Sequence, residues 1–194
     1  MNARENGIAA AVEFMAAFHP DRTWFIVGGL LRDTENGGGN YKDIDIFIVG
    51  YDTDLLPKGA EDGEKNAYLL RAYTVKDYPF FGRPMEINLI FMRGADWTLE
   101  RMTDRCDFGI CQIGYCPVEG RIYRSDDYMC DKTRGTLTLA RETTQARVDR
   151  MKAKFPFHRF HNPSGITVDG EKSWCYDEET QQLTMKLARV QPKG

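Results

Sequence analysis

The sequence predicts an α+β fold in which one mixed β-sheet is faced by helices. Three observations lead there. Apolar runs rich in β-branched and aromatic residues at 23–27 (TWFIV), 44–49 and 85–92 (MEINLIFM) read as strands. Residues 4–18 and 142–155 instead repeat apolar side chains at helical spacing. No internal repeat or low-complexity tract divides the 194 residues. A chain of that length fits one domain and buries roughly 70% of its unfolded surface.

Each element follows from local chemistry. Ile8, Ala11, Val12, Met15 and Phe18 line one face of a helix over 4–18, closed by His19-Pro20. The strand at 23–27 stops at Gly28-Gly29, and 30–35 is a helical turn before the loop at 37–40 (GGGN). Residues 44–49 form a buried strand entered by a carboxylate. Residues 51–66 are a polar excursion with Pro57, Gly59 and Gly63, and 67–75 fits helix or strand. Residues 96–106 read as a helix with Asp96 as N-cap. Residues 110–116 and 121–124 read as a hairpin through Glu119-Gly120, and 136–139 as a short strand. The helix at 142–155 ends at Pro156. Beyond it lie Pro163, Gly165 and an amphipathic stretch over 178–190. The expected organisation is a main unit over 1–155 and a C-terminal extension over 156–194 packed on it.

Composition narrows the function classes. Apolar residues make up 42% and charged residues 28%, ordinary for a globular protein. No apolar run approaches the roughly 20 residues of a membrane span, and the N-terminus has no basic start leading into an apolar core. A cytoplasmic protein without membrane contact is expected. Five cysteines without a CxxC pair fit reduced thiols better than a disulfide framework or a zinc site. The net charge of −3 excludes a wholly basic surface, so any nucleic-acid contact must be local. Residues 141–161 are the candidate, with four Arg and two Lys against Glu142 and Asp149.

Three acidic residues interrupt strands. Asp43 and Asp45 lie in K-D-I-D-I-F-I-V, where strand periodicity puts both on one face, about 6–7 Å apart. Glu86 enters the apolar strand M-E-I-N-L-I-F. Three gathered carboxylates repel one another unless a cation lies between them. Hard oxygen ligands on a sheet suit Mg²⁺ or Mn²⁺. The alternative is that all three sit in solvent at strand ends. Upstream, F-I-V-G-G-L-L-R-D runs a strand through two glycines into a helix, a turn at which backbone N–H groups can approach a phosphate. It is neither a GxGxxG fingerprint nor a P-loop.

Taken together, this order resembles the nucleotidyltransferase superfamily, the DNA polymerase beta-like group. V-G-G-L-L-R-D followed by K-D-I-D-I is similar to the head domain of tRNA CCA-adding enzymes and bacterial poly(A) polymerases. The resemblance implies a nucleotidyltransferase fold and an enzyme that moves an NMP from an NTP (ATP included) to a hydroxyl. Mg²⁺ or Mn²⁺ would be its cofactor and an RNA (tRNA) 3′ end its acceptor. It implies Asp43 and Asp45 as metal ligands and Glu86 as the third carboxylate. It also implies Gly28, Gly29 and Arg32 as nucleotide contacts. Arg105-Cys106-Asp107-Phe108-Gly109-Ile110 is similar to the family's R-R-D-F-T-I, departing at Cys106. Arg147-Val148-Asp149-Arg150 resembles R-V-x-R, which adds Arg147 and Arg150 as nucleotide contacts one helical turn apart. The resemblance covers roughly residues 23–155. No E-D-x-x-R base-selecting motif follows, so the preferred base and the acceptor stay open. A small-molecule or protein hydroxyl, or a degenerate nucleotide- or RNA-binding module, are the alternatives.

Two other groups are expected to be structural. His158 and His161, flanked by Pro156 and Pro163, suit a surface loop. Tyr73, Tyr78, Phe80 and Phe81 suit the core better than a base-stacking platform. No Ser-His-Asp or Cys-His arrangement supports acyl transfer.

Overall fold

The computed structural model describes residues 2–18, 21–36, 41–50, 60–62, 69–80, 83–168, 172–177 and 182–187. The loop at 37–40, most of the 51–66 excursion and Phe81 lie outside them. Helix α1 (Ala3–Phe18) starts at a reciprocal cap. Asn2 Oδ1 accepts from the Glu5 amide at 2.9 Å, and Glu5 Oε2 accepts from the Asn2 amide at 3.0 Å. Strand β1 (Trp24–Val27) runs into Gly28 and then helix α2 (Gly29–Glu35). Gly7 lets α1 and α2 touch, because a β-carbon there would lie 2.4 Å from Leu30 Cδ1. Strands β2 (Asp43–Val49), β3 (Ala60–Asp62), β4 (Leu69–Phe80) and β5 (Arg83–Met92) follow. Residues 69–75 of the ambiguous 67–75 stretch are therefore strand, and 67–68 lie outside the described residues. The alternation of buried Tyr73 and Val75 with exposed or half-buried neighbours is a period of two.

Helix α3 (Leu99–Thr103) is shorter than predicted, and its cap is Thr98, whose hydroxyl accepts from the Arg101 amide at 3.2 Å. Asp96 lies outside the helix and binds the Arg101 guanidinium instead. The chain leaves the helix at Asp104, and Gly109–Cys111 is a 3-10 turn rather than strand. The hairpin is β6 (Ile113–Cys116) and β7 (Arg121–Arg124), turning through Gly120 at φ 60°. Helix α4 (Asp126–Arg134) was not anticipated. It has a Ser125 cap, acids in its first turn, bases in its last and a left-handed Gly135 stop. Strand β8 (Thr136–Thr138), helix α5 (Gln145–Lys154, capped by Thr144) and strand β9 (Arg159–His161) complete the main body. His161 thus lies in a strand parallel to β8, not in a loop. Strands β10 (Lys172–Asp177) and β11 (Gln182–Leu187) form a separate antiparallel pair.

The main sheet has seven strands in the order β3-β4-β5-β2-β1-β6-β7. Only β2 and β5 are parallel neighbours. Ile44, Ile46 and Ile48 are fully buried in the larger core, beside Phe14, Leu30, Leu31, Phe108, Ile110 and Tyr128. Phe47 and Val49, on the opposite face, pack with Phe25, Val27, Trp97 and Met102 in a smaller cluster under α3. Tyr73 and Phe80 are buried and Tyr78 packs against the larger core, so these aromatics are structural. No helix among the described residues is long and apolar enough to cross a membrane. Cys106, Cys111, Cys116 and Cys130 are free thiols.

One carboxylate ties the end of α2 to its surroundings. Glu35, 5% exposed, receives Arg4 at 3.2 Å, Lys132 at 3.1 Å, the Tyr128 hydroxyl at 2.9 Å and the Arg124 guanidinium. Burial alone would raise its pKa, but hydrogen bonds from Arg124, Lys132 and Tyr128 hold it down at about 2. A depressed carboxylate stabilises the fold above its unfolded pKa and loses that contribution as pH falls through the folded one. Denaturation followed from pH 5 to pH 2 should therefore show a loss of about 1–2 kcal/mol traceable to Glu35, because its cationic partners are about one-third exposed and solvent screens the pairs. A Glu35→Gln variant should lack this component while starting from a lower stability.

Candidate functional site

The site forms where β1 hands the chain to α2 beside the start of β2. Gly28 adopts φ 80°, ψ −110°, a backbone conformation reserved for glycine. Its amide donates to the Ile113 carbonyl at 2.8 Å, and its carbonyl accepts from Arg32 N at 2.9 Å as the first bond of α2. An alanine at position 28 should cost about 2 kcal/mol in thermal or chemical denaturation. Gly29 is different. Its φ is unexceptional, and a β-carbon there would meet Asp43 Oδ1 at 3.8 Å and Asp45 Oδ2 at 3.9 Å. Both carboxylates of β2 thus face the same small space in front of Gly29.

The two oxygens of Asp45 have separate partners. Oδ1 accepts from Asn88 Nδ2 at 2.9 Å, and Asn88 Oδ1 in turn accepts from the Thr74 hydroxyl at 2.8 Å. Asp45, Asn88 and Thr74 are register neighbours on β2, β5 and β4, so three strands hold one carboxylate. This leaves Oδ2 turned toward Gly29. Burial is the main reason the Asp45 pKa rises to about 6. The Asn88 hydrogen bond lowers it, neighbouring Asp43 raises it further, and Arg32 and Arg147 lower it.

Glu86 is the register partner of Asp43 across the parallel β2–β5 pair. Its Oε1, however, accepts from Lys42 at 3.3 Å. Among the described residues no group of three or more His, Cys, Asp or Glu is gathered closely enough to hold a metal ion. The arrangement is a pair of carboxylates with a third, ion-paired one alongside.

The arginines divide into two kinds. Arg32 is buried. Its Nε donates to Asp33 at 2.7 Å and its NH1 to Cys111 Sγ at 3.2 Å, and the guanidinium lies 5.6 Å from the Phe155 ring centre. Arg147 reaches Asp107 through two bonds, Nε at 3.0 Å and NH2 at 3.3 Å, and its NH2 lies 3.8 Å from the same sulfur. Two guanidinium groups from α2 and α5 therefore share the Cys111 thiol. Burial holds that thiol in its neutral form by raising its pKa, although both arginines oppose the rise. Arg150 is exposed and makes no described hydrogen bond or ion pair, so Arg147 and Arg150 do not converge on one partner. Arg105 stacks on Trp97, 5.5 Å from the ring centre.

Asp107 is a residue of this region that the sequence did not single out. It fixes Arg147 and also accepts from the Thr143 hydroxyl at 2.8 Å. The signal was present in the R-C-D-F-G-I segment, where the acid stands beside the position that departs from the family pattern. The basic stretch over 141–161 is thinner than its composition suggests. Arg147 is engaged by Asp107, Lys154 by buried Asp33, and Lys152 lies over Phe160.

Two half-buried carboxylates of like charge lie within electrostatic reach of two guanidinium groups, an arrangement chemically able to take up a cation and an anionic group side by side. Asp43 Oδ1 and Asp45 Oδ2, which a Gly29 β-carbon would meet at 3.8 and 3.9 Å, are hard donors of the kind that Mg²⁺ or Mn²⁺ takes.

No family model matches the sequence, and no curated protein matches it. Solved structures do. The Thermotoga maritima CCA-adding enzyme complexed with tRNA-CCA matches with a TM-score of 0.55 and 19% identity over 81% of this chain. CCA-adding enzymes complexed with CTP and with ATP match with TM-scores of 0.54 and 0.55, each at 19% identity over 80% of this chain. The chain thus has a mixed α+β fold like that of CCA-adding enzymes. This chain spans 39–40% of the length of those proteins.

Proposed function

We propose that this chain is a divalent-metal-dependent nucleotidyltransferase that moves an NMP from an NTP to an acceptor hydroxyl and releases pyrophosphate. The observation that carries this reading is the pair of Asp43 and Asp45 oxygens facing the glycine at which a short helix begins. In the reaction the acceptor oxygen attacks the α-phosphorus in line. A new P–O bond forms, the bond to the bridging oxygen of the β-phosphate breaks, and the hydroxyl proton passes to solvent. Asp43 and Asp45 would hold the cation, which when bound supplies charge neutralisation and a template for the two oxygens. Asn88 and Thr74 hold Asp45 in the rotamer that presents Oδ2. The absence of a side chain at Gly29 leaves room for phosphate oxygens beside backbone amides. Arg147, fixed by Asp107, supplies positive charge, and buried Arg32 acts through its field. Catalysis is then mainly positioning and electrostatic stabilisation.

The favoured acceptor is an RNA 3′ end. The similarity to an enzyme solved with tRNA supports it, as do exposed Arg150 and Arg159. The reading also keeps the protein in the cytoplasm, where NTPs and RNA meet. The test is transfer of label from each α-labelled NTP, with Mg²⁺ or Mn²⁺, to total tRNA. Label on RNA is the expected result, and label on a small molecule or on protein would replace the acceptor. A Gly29→Ala variant separates site from scaffold. Its stability should change by less than about 0.5 kcal/mol, while transfer should fall at least about tenfold, because the methyl fills the space between the carboxylates.

One observation favours a second reading, a nucleotide- or RNA-binding module without turnover. Glu86 is engaged by Lys42 rather than joined to the aspartate pair. That reading expects nucleotide binding that persists in EDTA.

A further inference from the structure

At the end of α2 remote from Gly29 lies a depression of about 720 Å³, lined by Asn2, Arg4, Thr34, Arg124, Met129 and Lys132 around Glu35. Volumes of about 300–1,000 Å³ are typical of small-molecule sites. Three cations face one carboxylate, and Glu35 is the sole acid among the lining residues. A carboxylate can be held in place by one bidentate arginine and a hydroxyl. Arg124 and Tyr128 already do this for Glu35. Arg4 and Lys132 add a surplus of two positive charges, unusual on a chain whose net charge is −3. The surplus is open to solvent: the side chains of Arg4, Arg124 and Lys132 are 33%, 32% and 38% exposed, against 5% for Glu35. The first turn of α1 borders the same space, and its Ala3 and Arg4 amides have no partner within the helix. Glu5, on that turn, is occupied with its own cap. The apolar wall is Met129, 47% exposed.

We infer that this depression is a second anion site that binds a phosphate group through Arg4, Arg124 and Lys132. A phosphate dianion would neutralise the surplus of two charges, and the arginine forks can bind it by paired hydrogen bonds. The phosphate can come from the backbone of an RNA strand or from a free phosphorylated molecule. The site does not depend on the chemistry at Asp43 and Asp45, so either assignment can fail without the other.

The test uses the full chain, isotopically labelled, titrated with inorganic phosphate and separately with a single-stranded octaribonucleotide. Amide resonances of Thr34, Met129 and Lys132 should shift with at least one of the two probes. The Arg4→Gln/Lys132→Gln variant should lose those shifts while any shift at Gly29 is retained. If the source is RNA, this variant should bind the octamer about tenfold more weakly. Its log affinity should also fall less steeply with log salt, by about 0.7 for each phosphate that is no longer neutralised. If the source is a free ligand, inorganic phosphate alone should produce the shifts. Should the double variant fold poorly, Arg4→Gln alone leaves Arg124, Lys132 and Tyr128 on Glu35 and should weaken binding about threefold. Unchanged resonances around the depression with both probes, or identical binding by a folded variant, would overturn the inference.

Discussion

An Asp131→Ala variant is expected to lose about 4 kcal/mol of stability, the largest effect of any single substitution considered for the fold. Asp131 is fully buried on α4. Its carboxylate accepts from the Ile110 amide at 2.9 Å, the Thr138 amide at 3.0 Å and the Thr136 hydroxyl at 2.6 Å, and also from the Thr138 hydroxyl. Among the described residues no cation pairs with it, and hydrogen bonds hold it in place. Alanine removes the acceptor and strands buried amides and hydroxyls, each costing about 1–3 kcal/mol when left unpaired. The same carboxylate tolerates only glycine at position 109, since a β-carbon there would lie 2.8 Å from Asp131 Oδ2. Chemical denaturation of the variant checks the magnitude. The consequence reaches the site, because the 3-10 turn that Asp131 anchors also carries Cys111 between Arg32 and Arg147.

The second large effect has opposite signs for activity and stability. Asp45→Asn should reduce nucleotidyl transfer about 10³-fold, the equivalent of the several kcal/mol that charge stabilisation by a bound cation supplies. The same variant should be more stable than the parent at pH 7 in EDTA, by about 2 kcal/mol. The sign follows from its pKa. Burial raises the folded value to about 6, so ionisation at neutral pH disfavours the folded state. The Asp45 contribution is present below the unfolded carboxylate pKa and is lost as pH rises through 6. Asparagine keeps the oxygen that accepts from Asn88 and removes the charge. Denaturation in EDTA at pH 4 and pH 8 should show the gain mainly at the higher pH, because the window runs from the unfolded carboxylate pKa up to about 6. A variant that loses both activity and stability would mean that Asp45 serves the scaffold.

Much of this was legible in the residues because the relevant signals are local. The alternation of Asp43, Asp45 and the three isoleucines fixes which face of β2 is acidic. Gly28 marks a turn only glycine can make. The stretch over 67–75 was ambiguous because a short apolar run fits either period, and pairing with β5 decided it. Helix α4 escaped notice because its sequence, DDYMCDKTR, buries only Tyr128 and Asp131, one of them charged. The helix at 96–106 was overextended because Asp96 is a good cap residue in isolation, whereas Thr98 occupies the cap position. The site was legible as residue types and less so as contacts. Burial of Arg32, the hold of Asp107 on Arg147, the pairing of Lys42 with Glu86 and the reach of Asn88 to Asp45 are all long-range. No spacing rule encodes them.

The most direct test of the central claim is pyrophosphate release from each of the four NTPs with Mg²⁺ or Mn²⁺ and an RNA acceptor, comparing the parent with the Asp43→Asn/Asp45→Asn variant. Release that needs metal and acceptor, and that vanishes in a folded double variant, is the predicted result. Release that persists in that variant, or none from the folded parent with any NTP and either metal, would contradict the assignment of nucleotidyl transfer to this carboxylate pair.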